Sequence, residues 1–119
     1  MPFGRRMSAV LTAVVFILVG STPTARAVDQ PISIAGFSFS PAVRTISVGD
    51  SVTWTNSAPL AHTVTSDTGI WNSGPLNQSG SFQRTFTQPG IFGYFCSIHS
   101  TMHGAILVGT QTYLPLVQR

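Results

Sequence analysis

Near its C-terminal end the chain reads YFCSIHSTMHG over residues 94–104, and its chemistry is inferred from this segment outward. Cys96, His99 and Met102 follow one another with two residues between successive members, a C-x2-H-x2-M spacing. A thiolate and an imidazole are strong ligands for copper, and a thioether can complete the shell with a long, weak axial bond. Because so short a spacing leaves the loop little freedom, the sequence predicts a copper site built on this loop.

A second imidazole is needed to complete a plane of one thiolate and two imidazoles. We predict that His62 supplies it, because His62 follows an irregular, proline-containing connection that can place it at one end of a folded domain. Two alternatives stay open. The single cysteine, which cannot form an internal disulfide, could be an inert core thiol. Zinc could replace copper, since it accepts one thiolate with three imidazoles, here Cys96, His62, His99 and His103. Under the copper hypothesis His103 is a surface residue.

The rest of the chain alternates short β-branched and aromatic segments with turn residues, and none of it has the periodicity of a helix. We predict strands over residues 32–39 with a bend at Gly36, and over residues 43–48, 52–56, 62–66, 82–87, 91–96 and 105–108. Residues 67–80 are rich in glycine and are expected to form a long irregular connection, called the crossing below. Seven or eight strands over about 80 residues predict an all-β Greek-key sandwich or barrel. The expected core includes Trp54, Phe82, Phe86 and Phe92.

The N-terminus has the features of an export signal. Arg5 and Arg6 precede an apolar run, and Ala25-Arg26-Ala27 has the small-x-small pattern of a cleavage site. We therefore divide the chain into a signal peptide (1–27), a copper-binding domain (28–109) and a tail of unknown role (110–119). The apolar run is short for a bilayer span, which needs about 20 residues. An uncleaved anchor is the alternative, and the mature form is expected to have no membrane span.

The charge and motifs of the mature chain (residues 28–119) give no support for nucleic-acid binding or catalysis. Three of the six arginines lie in the predicted signal peptide, so the remaining three balance the three aspartates and the mature net charge is zero. The positive charge of the full chain therefore gives no support for nucleic-acid binding. We find no carboxylate pair, no Ser/His/Asp set and no glycine-rich phosphate loop, and we do not expect an enzyme.

The chain resembles the cupredoxins, the family of plastocyanin, amicyanin and pseudoazurin. The resemblance is carried by VGDSVTW (48–54), AHTV (61–64), FQRTFTQPG (82–90) and YFCSIHSTMHG (94–104). It implies one type 1 (blue) copper ion held by His62, Cys96, His99 and Met102. The two-residue gap between His99 and Met102 is similar to the short ligand loop of amicyanin.

The resemblance also implies a function: a monomeric one-electron carrier that is exported to the periplasm or the cell exterior. Redox protein partners would dock transiently around the edge of His99, on an uncharged patch formed by Pro59, Leu60, Ala61 and residues 100–104. The alternative is a copper- or zinc-handling protein without an electron-transfer role.

The chain departs from the family pattern immediately after the first histidine. Members such as plastocyanin often have asparagine there, which ties the ligand loop to the neighbouring strand, whereas this chain has Thr63. We expect the Thr63 hydroxyl to make the same connection through Ser97. Phe95 and Ser97 flank the cysteine where multicopper oxidases carry histidines, which also weighs against a catalytic role.

Overall fold

Eight β-strands and no helix make up residues 26–110, the part of the chain that the computed structural model describes. In chain order they are β1 (Asp29–Ala35), β2 (Ser38–Ser40), β3 (Val43–Ser47), β4 (Ser51–Asn56), β5 (Thr65–Ser66), β6 (Ser81–Thr85), β7 (Gly90–Phe95) and β8 (His103–Gly109). The predicted signal peptide and tail lie almost entirely outside this range. Within it, no apolar helix long enough to cross a membrane occurs.

The strands form two four-stranded sheets, in the orders β2-β1-β4-β6 and β3-β8-β7-β5. β1 pairs with β4 and β3 pairs with β8 in parallel, and the other neighbours are antiparallel. Parallel neighbours require crossover connections. Here the chain makes them by leaving the first sheet after β2, forming β3 in the second, and returning as β4. The predicted all-β sandwich is confirmed.

The core lies between the sheets and follows the period-two alternation of the strands. Ile32 and Ile34 of β1 and Val52 and Trp54 of β4 are buried, and they face Ile106, Val108 and Tyr94 of the second sheet. Burying one such side chain stabilises the fold by about 1.5–3 kcal/mol. The expected core positions are confirmed: Trp54 and Phe86 are buried, and Phe82 and Phe92 are partly buried against them.

The strand predicted over residues 62–66 is wrong for most of its length, since only Thr65 and Ser66 belong to a strand. His62 instead forms an isolated bridge with Leu76. The reason is that residues 62–64 exchange backbone hydrogen bonds with the 67–80 crossing rather than with a sheet strand. The first predicted ligand is therefore held between two irregular segments.

Phe37, which falls within the strand predicted over residues 32–39, lies outside the core. Ala35 pairs with Ser38, so Gly36 and Phe37 form a two-residue turn between β1 and β2. Gly36 has a φ of 58°, a conformation that glycine adopts without the steric cost of a Cβ atom. The bend expected at Gly36 is thus a hairpin turn, and it places Phe37 at the end of the sandwich where the predicted ligands lie.

Candidate metal centre

Three predicted ligands meet at one end of the sandwich. The Nδ1 atoms of His62 and His99 are 3.1 Å apart, and they lie 3.8 and 3.7 Å, respectively, from the Cys96 Sγ atom. A point equidistant from three atoms at these separations lies about 2.1 Å from each, within the ~2.0–2.3 Å at which imidazole nitrogen and thiolate sulfur bind metal ions. The triangle therefore fits a single ion.

The protonation state of His62 suits a ligand. Burial lowers the pKa of His62, the neighbouring His99 lowers it further, and the backbone of Gly36 partly opposes both effects. The side chain is fully buried. A neutral imidazole is the form that binds a metal, so the site needs little proton release at this ring.

The C-terminal ligand loop is closed by its own backbone. Cys96 follows the last residue of β7, its N–H donates to the Met102 carbonyl (3.2 Å), and the Met102 N–H donates to the His99 carbonyl (2.9 Å). The Thr63 N–H donates to Cys96 Sγ at 3.4 Å. These bonds hold the sulfur and the His99 ring in a compact turn. Met102 is buried on the same loop.

His62 is held by a bridge and by a buried amide. Its backbone exchanges two hydrogen bonds with Leu76, of 3.2 and 2.7 Å. The Asn56 Nδ2 atom donates to the carbonyls of Leu60 and Leu76, and its Oδ1 atom accepts from the Ala58 N–H. Asn56 thus braces the segments on both sides of the ligand.

The sequence interpretation missed this role of Asn56, although a signal was present. Asn56 continues the inward alternation of Val52 and Trp54 and is fully buried at the end of β4. A buried amide must find hydrogen-bond partners. Two of its three partners, the Ala58 N–H and the Leu60 carbonyl, lie in the connection that leads to His62.

His103 does not join the cluster. Among residues 26–110, the histidine, cysteine and acidic side chains close enough to share a metal are His62, Cys96 and His99. His103 is exposed at the start of β8, and its ring centroid is 6.4 Å from that of Phe95, its partner in the β7–β8 register. The four-ligand zinc set considered above is not assembled.

Residues 27–109 match the family model described as copper binding proteins, plastocyanin/azurin family. The chain belongs to this family. It is similar to the chloroplastic plastocyanin of Tetradesmus obliquus, with 39% identity over 82 residues that cover 60% of this chain and 54% of the relative. It is also similar to the amicyanin of Paracoccus denitrificans, with 32% identity over 68 residues, 53% of this chain and 52% of the relative. The chain thus spans about half the length of these two relatives.

A solved structure supports the same assignment. The chain is similar to a purple cupredoxin from Nitrosopumilus maritimus, with 32% identity and a TM-score of 0.64, covering 68% of this chain and all of that one. The cupredoxin fold and copper as the metal of the family agree with the donor triangle, because one thiolate and two imidazoles are ligands that copper accepts.

The expected link from Thr63 is confirmed in this cupredoxin. The Ser97 N–H donates to Thr63 Oγ1 at 2.8 Å, and the two hydroxyl oxygens are 3.1 Å apart. Thr63 therefore ties the residue after Cys96 to the segment after His62, while its own N–H reaches the sulfur.

An exposed aromatic ring covers the site in a way that the sequence interpretation did not foresee. The Phe37 ring centroid is 5.0 Å from the His99 ring and 6.1 Å from the His62 ring, nearly perpendicular to both. Phe37 is 61% exposed, and Leu60 and Ile98 are 51% and 49% exposed. The turn at Gly36 was the available signal, because it removes Phe37 from the strand alternation.

Proposed function

We propose that the protein is a type 1 copper protein that carries one electron at a time between exported redox partners. The donor triangle carries the proposal, because three buried or half-buried side chains from two distant segments of the chain bring a thiolate and two imidazoles within bonding distance of one point. We assign His62, Cys96 and His99 as the equatorial ligands and Met102 as the weak axial ligand.

When bound, copper supplies a couple between Cu(I) and Cu(II) at this site. The chain holds the donor atoms in nearly fixed positions, since His62 is bridged to Leu76 and the Cys96 loop is closed by its own backbone bonds. Rigid donors keep the change in geometry between the two oxidation states small. The Cys96 sulfur is fully buried and accepts the Thr63 N–H, and hydrogen bonds to this sulfur tune the potential.

We propose that partners dock at the apolar end patch, defined here as Phe37, Leu60 and Ile98 around His99. These side chains are exposed, the Phe37 ring packs against the half-buried His99 ring, and Leu60 and Ile98 lie within two residues of His62 and His99 in the chain. Electron-transfer encounters bury little area and are transient. Since the mature chain (residues 28–119) is expected to be neutral, partner association should depend weakly on ionic strength. We expect a monomer and no catalysis of its own.

We further propose that residues 1–27 are a signal peptide, that residues 28–109 form the exported domain, and that residues 110–119 are a tail. The working location is the periplasm or the cell exterior. N-terminal sequencing of the protein secreted by an expression host would test the cleavage site after Ala27.

The function is tested by visible and EPR spectroscopy of the copper-loaded mature protein. A blue copper centre is expected to absorb red light strongly through the Cys96 thiolate and to be reduced and reoxidised reversibly by one electron. Cys96→Ser should abolish the band, and His103→Ala should leave it intact. A colourless wild-type protein, or loss of metal binding in His103→Ala, would instead favour zinc or copper handling.

A further inference from the structure

The Thr63 link continues beyond the ligand loop as a chain of hydroxyl groups. Thr63 Oγ1 lies 2.9 Å from Thr65 Oγ1, and Thr65 Oγ1 donates to Asn72 Oδ1 at 3.2 Å. Together with the bonds from Ser97, the chain runs from the residue after Cys96 to the 67–80 crossing. It is buried at Thr63 and exposed at Asn72.

The direction of the hydrogen bonds in this chain is fixed at its outer end. Asn72 Oδ1 also accepts the Gly74 N–H at 2.9 Å, and because that N–H can only donate, this atom must be the amide oxygen. The Thr65 hydroxyl therefore donates its single proton to Asn72 Oδ1. Its oxygen is left to accept the Thr63 proton. The lone pairs of Thr63 then face the N–H and hydroxyl of Ser97.

We propose that Thr65 and Asn72 are positioning residues for the copper thiolate, acting through Thr63. This inference rests on the proposed function. If Thr65 did not accept its proton, the Thr63 hydroxyl could turn that proton toward Ser97 and weaken the bond from the Ser97 N–H. Thr63 also donates its own N–H to Cys96 Sγ, so a shift of Thr63 changes the hydrogen bond on the sulfur.

The test compares Thr65→Val, which removes the hydroxyl at nearly constant shape, with Thr65→Ser, which keeps it. Asn72→Ala removes the acceptor from the other end and provides a second variant should Thr65→Val fold poorly. Thr63→Val is the positive control. Thr68→Val is the matched control, because the one hydrogen bond of the Thr68 hydroxyl within residues 26–110 is to the neighbouring Ser66.

Two measurements are made on the mature protein: the copper reduction potential, and the exchange rate of the Ser97 amide proton in the metal-free form. Thr65→Val and Asn72→Ala should shift the potential in the direction given by Thr63→Val, by a smaller amount. They should also speed Ser97 exchange by up to about fivefold, the factor that one net hydrogen bond is worth. Thr65→Ser and Thr68→Val should behave like the wild type.

The proposal is overturned if Thr63→Val changes both quantities while Thr65→Val and Asn72→Ala change neither. It is also overturned if Thr65→Ser behaves like Thr65→Val, because the hydroxyl would then be irrelevant. Failure of the proposed function is distinguishable: a wild type without a thiolate-to-copper band would refute the electron carrier, while Ser97 exchange in the metal-free protein would still report the hydroxyl chain.

Discussion

Replacing Asn56 by leucine should weaken both the fold and the metal centre. The substitution keeps the branched shape of the side chain but removes three hydrogen bonds, to the Leu60 and Leu76 carbonyls and from the Ala58 N–H. At about 1 kcal/mol net for each bond, the loss is about 3 kcal/mol. The Leu76 carbonyl retains the His62 N–H as a partner, which limits the further cost of unpaired buried groups.

A loss of this size is easily measured by thermal or urea unfolding of the metal-free mature protein. For a domain of fewer than 100 residues, about 3 kcal/mol corresponds to a fall in Tm of roughly 12–24 °C. Metal-free protein is used so that copper binding does not mask the change. Copper affinity, measured separately by competition with a chelator, should also fall, because Leu60 and Leu76 lie on either side of His62.

The matched control is Asn77→Leu, the same change at an exposed position whose side chain makes no hydrogen bond within residues 26–110. It should alter the unfolding free energy by less than about 0.5 kcal/mol. If Asn56→Leu cost less than about 1 kcal/mol, or lowered stability without changing copper affinity, the bracing role of this amide would be refuted.

Three further predictions concern other parts of the domain. The pKa of the Asp29 carboxyl group is lowered mainly because it accepts a hydrogen bond from Ser51, and also because it accepts hydrogen bonds from Gln83 and Thr53. Its stabilisation should be complete above pH ~4 and lost as pH falls through the lowered pKa, and Asp29→Asn should flatten this part of a stability–pH curve. Gly104→Ala should destabilise the fold by about 1–3 kcal/mol in urea titrations, because the new methyl group would collide with the Tyr94 ring. Phe37→Lys should slow electron self-exchange and make its rate depend on salt, because two like charges would meet at the interface.

Each of these has a clear contrary outcome. Gly109→Ala adds the same methyl group where the nearest atom is 4.0 Å away, so an equal loss in both alanine variants would refute the steric argument. Val43→Lys puts the same charge on an exposed apolar position of β3. If it slowed self-exchange as much as Phe37→Lys, the patch at the metal end would not be the site of encounter. If the stability–pH curve of Asp29→Asn were unchanged at acid pH, the Asp29 carboxylate would not contribute to the pH dependence of stability.

The sequence was most informative where local spacing determines geometry. The C-x2-H-x2-M spacing identified the loop that brings Cys96 and His99 close to His62, and strand alternation identified most of the core, because both depend on residues close together in the chain. His62 could be chosen as the second imidazole, but the strand assigned to residues 62–66 was wrong. No local pattern shows that its backbone pairs with Leu76, since that pairing is made by the crossing.

The crossing shows why other features of the fold could not be predicted from the sequence. Residues 67–80 have no periodicity, yet Trp71 is buried among the Trp54, Phe86 and Tyr94 rings, with the Arg84 guanidinium 4.8 Å from its ring centroid. An irregular segment reveals its buried side chains only through tertiary contacts. Phe37 was missed because a turn removes it from the strand alternation. The role of Asn56 was missed because the alternation predicts its burial but not the backbone groups to which it bonds.

The same crossing couples the metal centre to the core. Its first part is anchored by Trp71 in the aromatic cluster, and its second part holds His62 through the Leu76 bridge. Between them, Ser73 and Asn72 bond to Val64 and Thr65. The segment therefore occupies the place of a sheet neighbour beside residues 62–65. Because a segment that is fixed at both ends has few conformations left, burial of Trp71 helps to position His62 from the side opposite the ligand loop.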